Sequence, residues 1–331
     1  MVGRPTMADV AKRAGVSRVA VSYALNGRAG VSAEVRGRIL RIADEIGFAV
    51  NGAARALRSD VPLVAGLTLR RPAGAASVEV FRRELISGVQ VALGARGFAL
   101  ALQFVADRDD ELSVFQRWAA ERRVSGVFVL DLERDDPRVP ALARLGLPAV
   151  VVGGPVDGAV CIWGDDAAPM AAAVHHLAGL GHRRVARVSG PPALHHTAVR
   201  DAAFTRACDD HGATGTVVAA DCTGEDGARV TRRLLASTDR PTALVYDNDI
   251  MAVAGLGVAA EMGLAVPAAL AIVALEDSAL CQVVRPALTV LKRDITGYGT
   301  RAAEMLLALV DGDDRASVCD HTATLVKRGT T

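Results

Sequence analysis

The chain has 331 residues, 51% of them hydrophobic, and a net charge of +1, enough for about two domains with large buried cores and too apolar for a globally disordered chain. No apolar stretch approaches 18 residues (the longest, 264–275, carries Pro267), which argues against a membrane span, and five cysteines (Cys161, Cys208, Cys222, Cys281, Cys319) without a CxxC pair argue against a disulfide framework or a zinc finger. Charge is uneven: residues 1–60 hold ten Lys/Arg against five acids, +5, and the remainder 28 against 32, −4, as in a polyanion-binding module joined to a different body, or in a solvated basic face.

The start, MVGRPTMADVAKRAG, lacks an apolar signal core, so a cytoplasmic location is expected. Thr6-Met7-Ala8-Asp9 fits a capping box and opens a first helix through Val10, Ala11 and Ala14 that closes on Gly15. Ser17 caps a second helix, 18–25, which stops near Asn26-Gly27, and Ser32 caps a third with a buried stripe Val35, Ile39, Ile42, Ala43, ending at Gly47. Three short helices with a tight Gly15-Val16-Ser17 turn between the first two make a helix-turn-helix. At about 100° per residue, Arg18, Val19, Ser22 and Tyr23 share one arc of the second helix, and Val21 and Ala24 the other. Core packing accounts for Val21 and Ala24. Arg18 and Tyr23 are either ordinary surface residues or free to meet base edges in a major groove, where Arg suits guanine. The segment 51–58, NGAARALR, is too short to be helical alone, and Ser59-Asp60-Val61-Pro62 breaks the chain after it.

From residue 62 short apolar runs alternate with longer helical stretches. Predicted strands cover 63–69, 98–104, 124–130, 149–152, 184–188, 214–219, 243–246 and 271–275; predicted helices cover 81–96, 112–121, 169–180, 198–211, 228–235, 250–262 and 298–310. Such alternation specifies parallel sheets covered on both faces, a doubly wound α/β architecture, and some 270 residues suit two similar lobes better than one sheet. Gly255-Leu-Gly257-Val-Ala-Ala260 matches GxGxxA but lies inside a predicted helix, so dinucleotide binding is not expected. GxxxxGK[ST], GxSxG and HExxH are absent. The doublets His175-His176 and His195-His196 point different ways on a helix, which disfavours a shared metal, and His182 suits a turn before a strand. Neither catalysis, cofactor nor metal is expected.

The run TMADVAKRAGVSRVAVSYALNG, with VSAEVRGRILRIADEIGF and NGAARALRS after it, resembles the head and hinge of the lactose-repressor (LacI/GalR) family of bacterial transcription regulators. The resemblance implies that the second helix lies in the major groove and that paired hinge helices of a dimer enter the minor groove, where Leu57 matches the leucine that wedges a base step open. DNA contacts implied together by the helix arc and the resemblance are Thr6, Ser17, Arg18, Val19, Ser22, Tyr23, Asn26, Asn51, Arg55 and Leu57. Two departures stand out: Val50 replaces the family's usual Pro before the hinge Asn, and Tyr23 stands where Arg or His is common.

The resemblance continues in Asp165-Asp166 with Ala173-Val174-His175-His176-Leu177 and Leu180-Gly181-His182-Arg183-Arg184, in Arg200-Asp201-Ala202-Ala203-Phe204, in Tyr246-Asp247-Asn248-Asp249, in Pro286-Ala287-Leu288-Thr289 and in Leu325–Thr330. It implies a periplasmic-binding-protein-like body of two lobes, the chain crossing between them near 162, 291 and 320, with a small effector in the cleft. The implied organisation is a helix-turn-helix domain (1–50), a hinge and linker (51–61) and a core (62–331), with lobe one about 62–162 and 292–320 and lobe two about 163–291 and 321–331. Matched cleft positions are Arg200, Asn248, Glu276 and Asp165. A guanidinium facing acids suits the hydroxyls of a sugar or nucleoside; the same residues also suit a structural Arg–acid pair or helix caps. Cys222 replaces an aromatic that often stacks on the ligand, Glu276 replaces the usual Asp, and Arg82 replaces a Phe at the lobe-one edge, which hints at a polar or anionic ligand.

The function implied is a dimeric regulator, a repressor, that binds a palindromic double-stranded operator with an affinity set allosterically by the cleft ligand. The alternatives are a transporter's solute-binding protein, which needs a signal peptide and no basic head, and an α/β enzyme with a DNA-binding appendage, which the missing motifs disfavour. A homodimer is expected, since nothing after the Leu325–Thr330 motif resembles a tetramerising heptad helix.

Overall fold

Helix formation in the first 48 residues follows from the caps. The computed structural model describes residues 5–25, 29–46, 48, 62–70 and 80–331, which divide into two units, Met1–Pro62 and Leu63–Thr331. In the first unit, α1 (Met7–Ala14) opens on the complete Thr6/Asp9 capping box and closes on left-handed Gly15, φ 65°. Ser17 accepts from the Ala20 amide at 3.1 Å at the start of α2 (Arg18–Leu25), and Ser32 from the Val35 amide at 3.3 Å at the start of α3 (Ala33–Glu45). Val10, Ala11, Ala14, Val21, Ala24, Ile39 and Ala43 form the core that joins the three. The expected end of the third helix at Gly47, and the hinge segment 51–58, lie outside the described residues.

The second unit holds two six-stranded sheets. The first contains β1 (Val64–Arg70), β2 (Ala99–Val105), β3 (Gly126–Val129), β4 (Ala149–Val152), β5 (Val160–Asp165) and β11 (Val318–Thr322), in the order β11-β5-β4-β3-β1-β2 and parallel throughout. The second contains β6 (Arg184–Ser189), β7 (Thr214–Ala219), β8 (Ala243–Tyr246), β9 (Ala271–Leu275), β10 (Thr289–Lys292) and β12 (Thr324–Val326), in the order β12-β10-β9-β8-β6-β7, parallel except for β12 against β10. The two windings are the same, 2-1-3-4-5, each completed by one strand from the end of the chain. This is the doubly wound fold expected from the alternation, with a lobe around each sheet.

Helices α4 (Val80–Ala95), α5 (Arg108–Ala120), α6 (Arg138–Leu145) and α12 (Ile295–Val310) flank the first sheet; α7 (Ala167–Gly179), α8 (His195–Asp210), α9 (Gly224–Leu235), α10 (Asp249–Glu261) and α11 (Ala279–Val283) flank the second. The chain passes between sheets at Asp166, Arg293–Asp294 and Ala323, two to four residues later than expected. Strands β5, β10, β11 and β12 and helices α6 and α11 were not among the predicted elements. They are three to eight residues long, and pairing with already ordered neighbours decides such short segments. Helix α5 starts at Arg108 instead of 112 because the Asp107 side chain caps the amides of Asp109 and Asp110. The Gly255 match to a nucleotide loop is a packing feature: Gly255 sits within α10 against the ring of buried Tyr246, whose hydroxyl hydrogen-bonds Thr231 at 2.7 Å.

Candidate functional site

Two surfaces concentrate the expected residues. In the head, the face of α2 turned from the core presents Arg18, Val19 (60% exposed) and Tyr23 (36%), while Val21 and Ala24 are buried. Gly30, at φ +114°, leaves room for the Tyr23 ring: a Cβ there would lie 3.1 Å from it. Thr6 and Ser17 stand at the N-termini of α1 and α2 with cap bonds made; the Thr6 hydroxyl also donates to Asp9 Oδ2 at 2.6 Å. Ser22, on α2, is half-buried. Asn26, Asn51, Arg55 and Leu57 lie outside the described residues.

The second surface lies at the C-terminal ends of the parallel strands, where open α/β sheets bind ligands. Arg200, on α8, is 6% exposed and donates through Nε to Asp166 at 2.8 Å and through Nη1 to Asp247 at 3.1 Å. Asp247 follows β8, and its Oδ1 also accepts from Nη2 of Arg187, a fully buried residue of β6, at 2.8 Å. Burial opposes ionisation of Asp247, but Arg187 and Arg200 outweigh it and hold the carboxyl well below its ordinary range; for Asp166, Arg200 and Arg293 do the same. His196, one turn before Arg200, is pulled down to about 4 by burial and by the Arg200 charge, so the imidazole is neutral at pH 7.

Lobe one brings a second charge set. Arg82 on α4 donates to Asp131 Oδ2 at 2.7 Å and to the Arg70 carbonyl at 3.3 Å. The loop bearing Asp131 is anchored by buried Arg138, which forks onto Asp136 and Glu111. This loop meets lobe two directly: the His195 amide donates to the Leu132 carbonyl at 2.8 Å, and Glu133 forms an antiparallel bridge with Leu194. At the middle crossing, the Arg293 guanidinium stacks over Phe81, 4.9 Å from its centroid, and stands 4.0 Å from Asp166 and 3.9 Å from Glu276. Asp165, Asp166, Arg200, Glu276 and Arg293 line a cavity of about 20 Å³, room for a single water. Three residues within three positions of a strand's C-terminal end adopt positive φ without being glycine: Asp131 at 53°, Cys222 at 67° and Glu276 at 124°, each about 1–3 kcal/mol of strain that the surrounding structure sustains.

Of the expected cleft residues, Arg200, Asp165 and Glu276 come together at this cavity. Asp165 is also a cap, Oδ1 accepting from the Ala167 and Ala168 amides at 2.9 and 3.0 Å. Asn248 caps α10 through Oδ1 and donates through Nδ2 to the Cys222 carbonyl, so both ends of its amide hold loops in place. Arg82 is drawn onto Asp131 within lobe one, and Arg200 and Arg293 each stand within 4.0 Å of an acid. Sequence reasoning missed Asp131, His196, Asp247 and Arg293. A usable signal was Arg187, a charge inside an otherwise apolar strand, which demands a buried acid.

Comparison with known proteins decides between the readings. Residues 6–51 match the family described as bacterial regulatory proteins, lacI family, and residues 174–331 match the periplasmic binding protein-like domain. A crystal structure of a LacI family transcriptional regulator from Bifidobacterium animalis subsp. lactis is 35% identical, with TM-score 0.75, over 81% of this chain and 97% of that one. The chain belongs to the LacI family. As a member of that family it is a DNA-binding transcriptional regulator and not an enzyme. A complex of the transcriptional regulator CelR with cellobiose is 27% identical over 99% of this chain and 100% of that one, with TM-score 0.75. The lac repressor dimer bound to operator and an anti-inducer shares the fold, with TM-score 0.85 over 99% of both chains at 24% identity. Among the described residues of this LacI-family chain, no helix is long and apolar enough to cross a membrane.

Proposed function

We propose that this regulator is a homodimeric repressor that reads a palindromic operator with Arg18, Val19, Ser22 and Tyr23 and releases or tightens its hold when a neutral, hydroxyl-rich ligand of the sugar class enters the interlobe cleft. The observation that carries the DNA reading is the composition of α2: its inward face is filled by Val21 and Ala24, and its outward face holds an arginine, a 60%-exposed valine and a tyrosine that packing leaves unexplained. Hinge residues Asn51, Arg55 and Leu57 would follow the head into the minor groove.

The ligand class rests on the paired charges. Carboxylates of Asp166 and Glu276 accept from hydroxyls, and Arg200 and Arg293 donate to them, without a net positive field to favour a phosphate or an acid. The cellobiose complex of CelR supports the same class. A cavity of about 20 Å³ is far below the roughly 300 Å³ of an ordinary ligand site, so admission requires the lobes to turn about the three crossings. The dimer is supported by apolar side chains exposed on the outer strand of each sheet, Leu102 on β2 and Val217 on β7, and on α11, Leu280 and Val283. The test is binding of the full chain to a labelled palindromic operator with and without a panel of neutral and phosphorylated sugars, alongside light scattering. Neutral sugars are expected to shift operator affinity and phosphorylated ones not to. A stable monomer, or a response to phosphorylated sugars alone, would refute the reading.

A further inference from the structure

On the outer side of lobe two, away from the cleft, two imidazoles meet edge to edge. His175 lies near the C-terminal end of α7, and His211 is the residue that ends α8. Their ring centroids are 5.0 Å apart with planes inclined at 52°, and Nδ1 of His175 stands 3.3 Å from Nε2 of His211. Both side chains are exposed.

We propose that His175 and His211 form a two-histidine site for a divalent transition ion of the zinc type, bridging α7 to α8. The distance is the first reason. Imidazole nitrogens bind zinc at about 2.0–2.1 Å in tetrahedral geometry, which sets two of them roughly 3.3–3.4 Å apart. The pair therefore already has the nitrogen separation that the ion requires. The second reason is the field. Helix α7 leads into β6, and α8 joins β6 to parallel β7, so both helices bring their C-termini to the same end of the sheet. Each terminus carries about half a negative charge, which favours a cation there. The sequence adds Asp209 and Asp210 directly before His211.

The chemistry needs no further reagent. The two facing nitrogens, 3.3 Å apart, are within hydrogen-bond distance of each other. Binding requires both facing nitrogens to present lone pairs, so a proton on either is carried on the opposite ring nitrogen or released to solvent, and water completes the coordination. Imidazole ligands select zinc, nickel or copper over magnesium, which prefers oxygen and an octahedral shell.

The experiment is calorimetric titration of the untagged full chain with zinc chloride at neutral pH, repeated with magnesium chloride. One zinc per chain is expected, and no heat from magnesium. Loss of a partner that only orients a ligand already costs about 10–100-fold in metal affinity, so His175→Asn and His211→Asn are each expected to weaken zinc binding at least tenfold. Cys319→Ser, which removes the exposed thiol, is expected to change nothing. Zinc should also raise the melting temperature of the parent and of Cys319→Ser but not of either histidine variant. The substitutions are on the surface and leave folding intact. Zinc binding that survives either histidine substitution, or depends on Cys319, or is not seen at all, overturns the site.

Discussion

Arg200 and Arg187 meet on one oxygen: Asp247 Oδ1 accepts from Nη1 of the first at 3.1 Å and from Nη2 of the second at 2.8 Å. The carboxylate thus ties α8 to β6 beneath the cleft floor, and Arg200 reaches onward to Asp166 at the first crossing. The proposed ligand contacts and the connection between lobes share one buried charge cluster. Removing one partner from such a cluster strands the others without solvent, at a cost of about 3–5 kcal/mol. Arg200→Met is expected to lower the unfolding free energy by that much, seen as a lower urea midpoint, and to abolish the ligand's effect on operator binding. An unchanged midpoint would show that the pairing contributes nothing.

Acid should act in two stages. His196 is held at about 4 in the folded chain and titrates near 6.5 when unfolded. Between those values the unfolded state binds the extra proton, so stability falls as pH drops from about 6.5 toward 4, by about 3 kcal/mol. Asp166 and Asp247, held below their ordinary range, add a steeper loss as pH falls further through their lowered values. Denaturation midpoints measured from pH 7 to 4 should flatten in His196→Gln and remain sloped in the parent.

Helices α4 and α12 cross with backbone against backbone. A Cβ at Gly299 would run into the Leu85 carbonyl oxygen, and one at Gly88 into that of Thr296. Gly299→Ala must therefore push the helices apart, at a cost of about 1–3 kcal/mol or more. Thermal unfolding of the body should register it, while the same change at exposed Gly94, where a Cβ meets nothing within 4 Å, should not destabilise the fold.

Arg18→Ala is expected to lose about 1–3 kcal/mol on the operator and to relax base preference at one position of each half-site, as for a guanidinium forked onto guanine. Equal losses on operator and random DNA would assign Arg18 to the phosphate backbone.

Leu57→Ala removes the proposed wedge. It is expected to reduce specific binding and DNA bending, the unstacking being worth a few kcal/mol, with little change in ligand affinity of the free protein. Bending measured by gel mobility on circularly permuted operator fragments that matched the parent's would disprove the hinge role.

Local chemistry was legible in the linear chain. Caps at Thr6, Ser17 and Ser32 and the alternation of apolar runs with helices depend on neighbours within a few residues, so they specified the head and the two-lobed α/β body, and with them the family. Arg200, Glu276 and Asp165 were reachable by motif for the same reason. What remained hidden depended on distance along the chain. Strands β11 and β12 are edge segments of five and three residues, ordered only by neighbours more than 30 residues away, with too little hydrophobic pattern of their own. The pairing of Arg82 with Asp131, 49 residues on, leaves no mark in the linear chain, nor does the hold of the Asn248 amide on the Cys222 carbonyl, 26 residues back. Which charges stay open to a ligand depends on the partners that burial brings within about 3 Å, and only the tertiary structure supplies those.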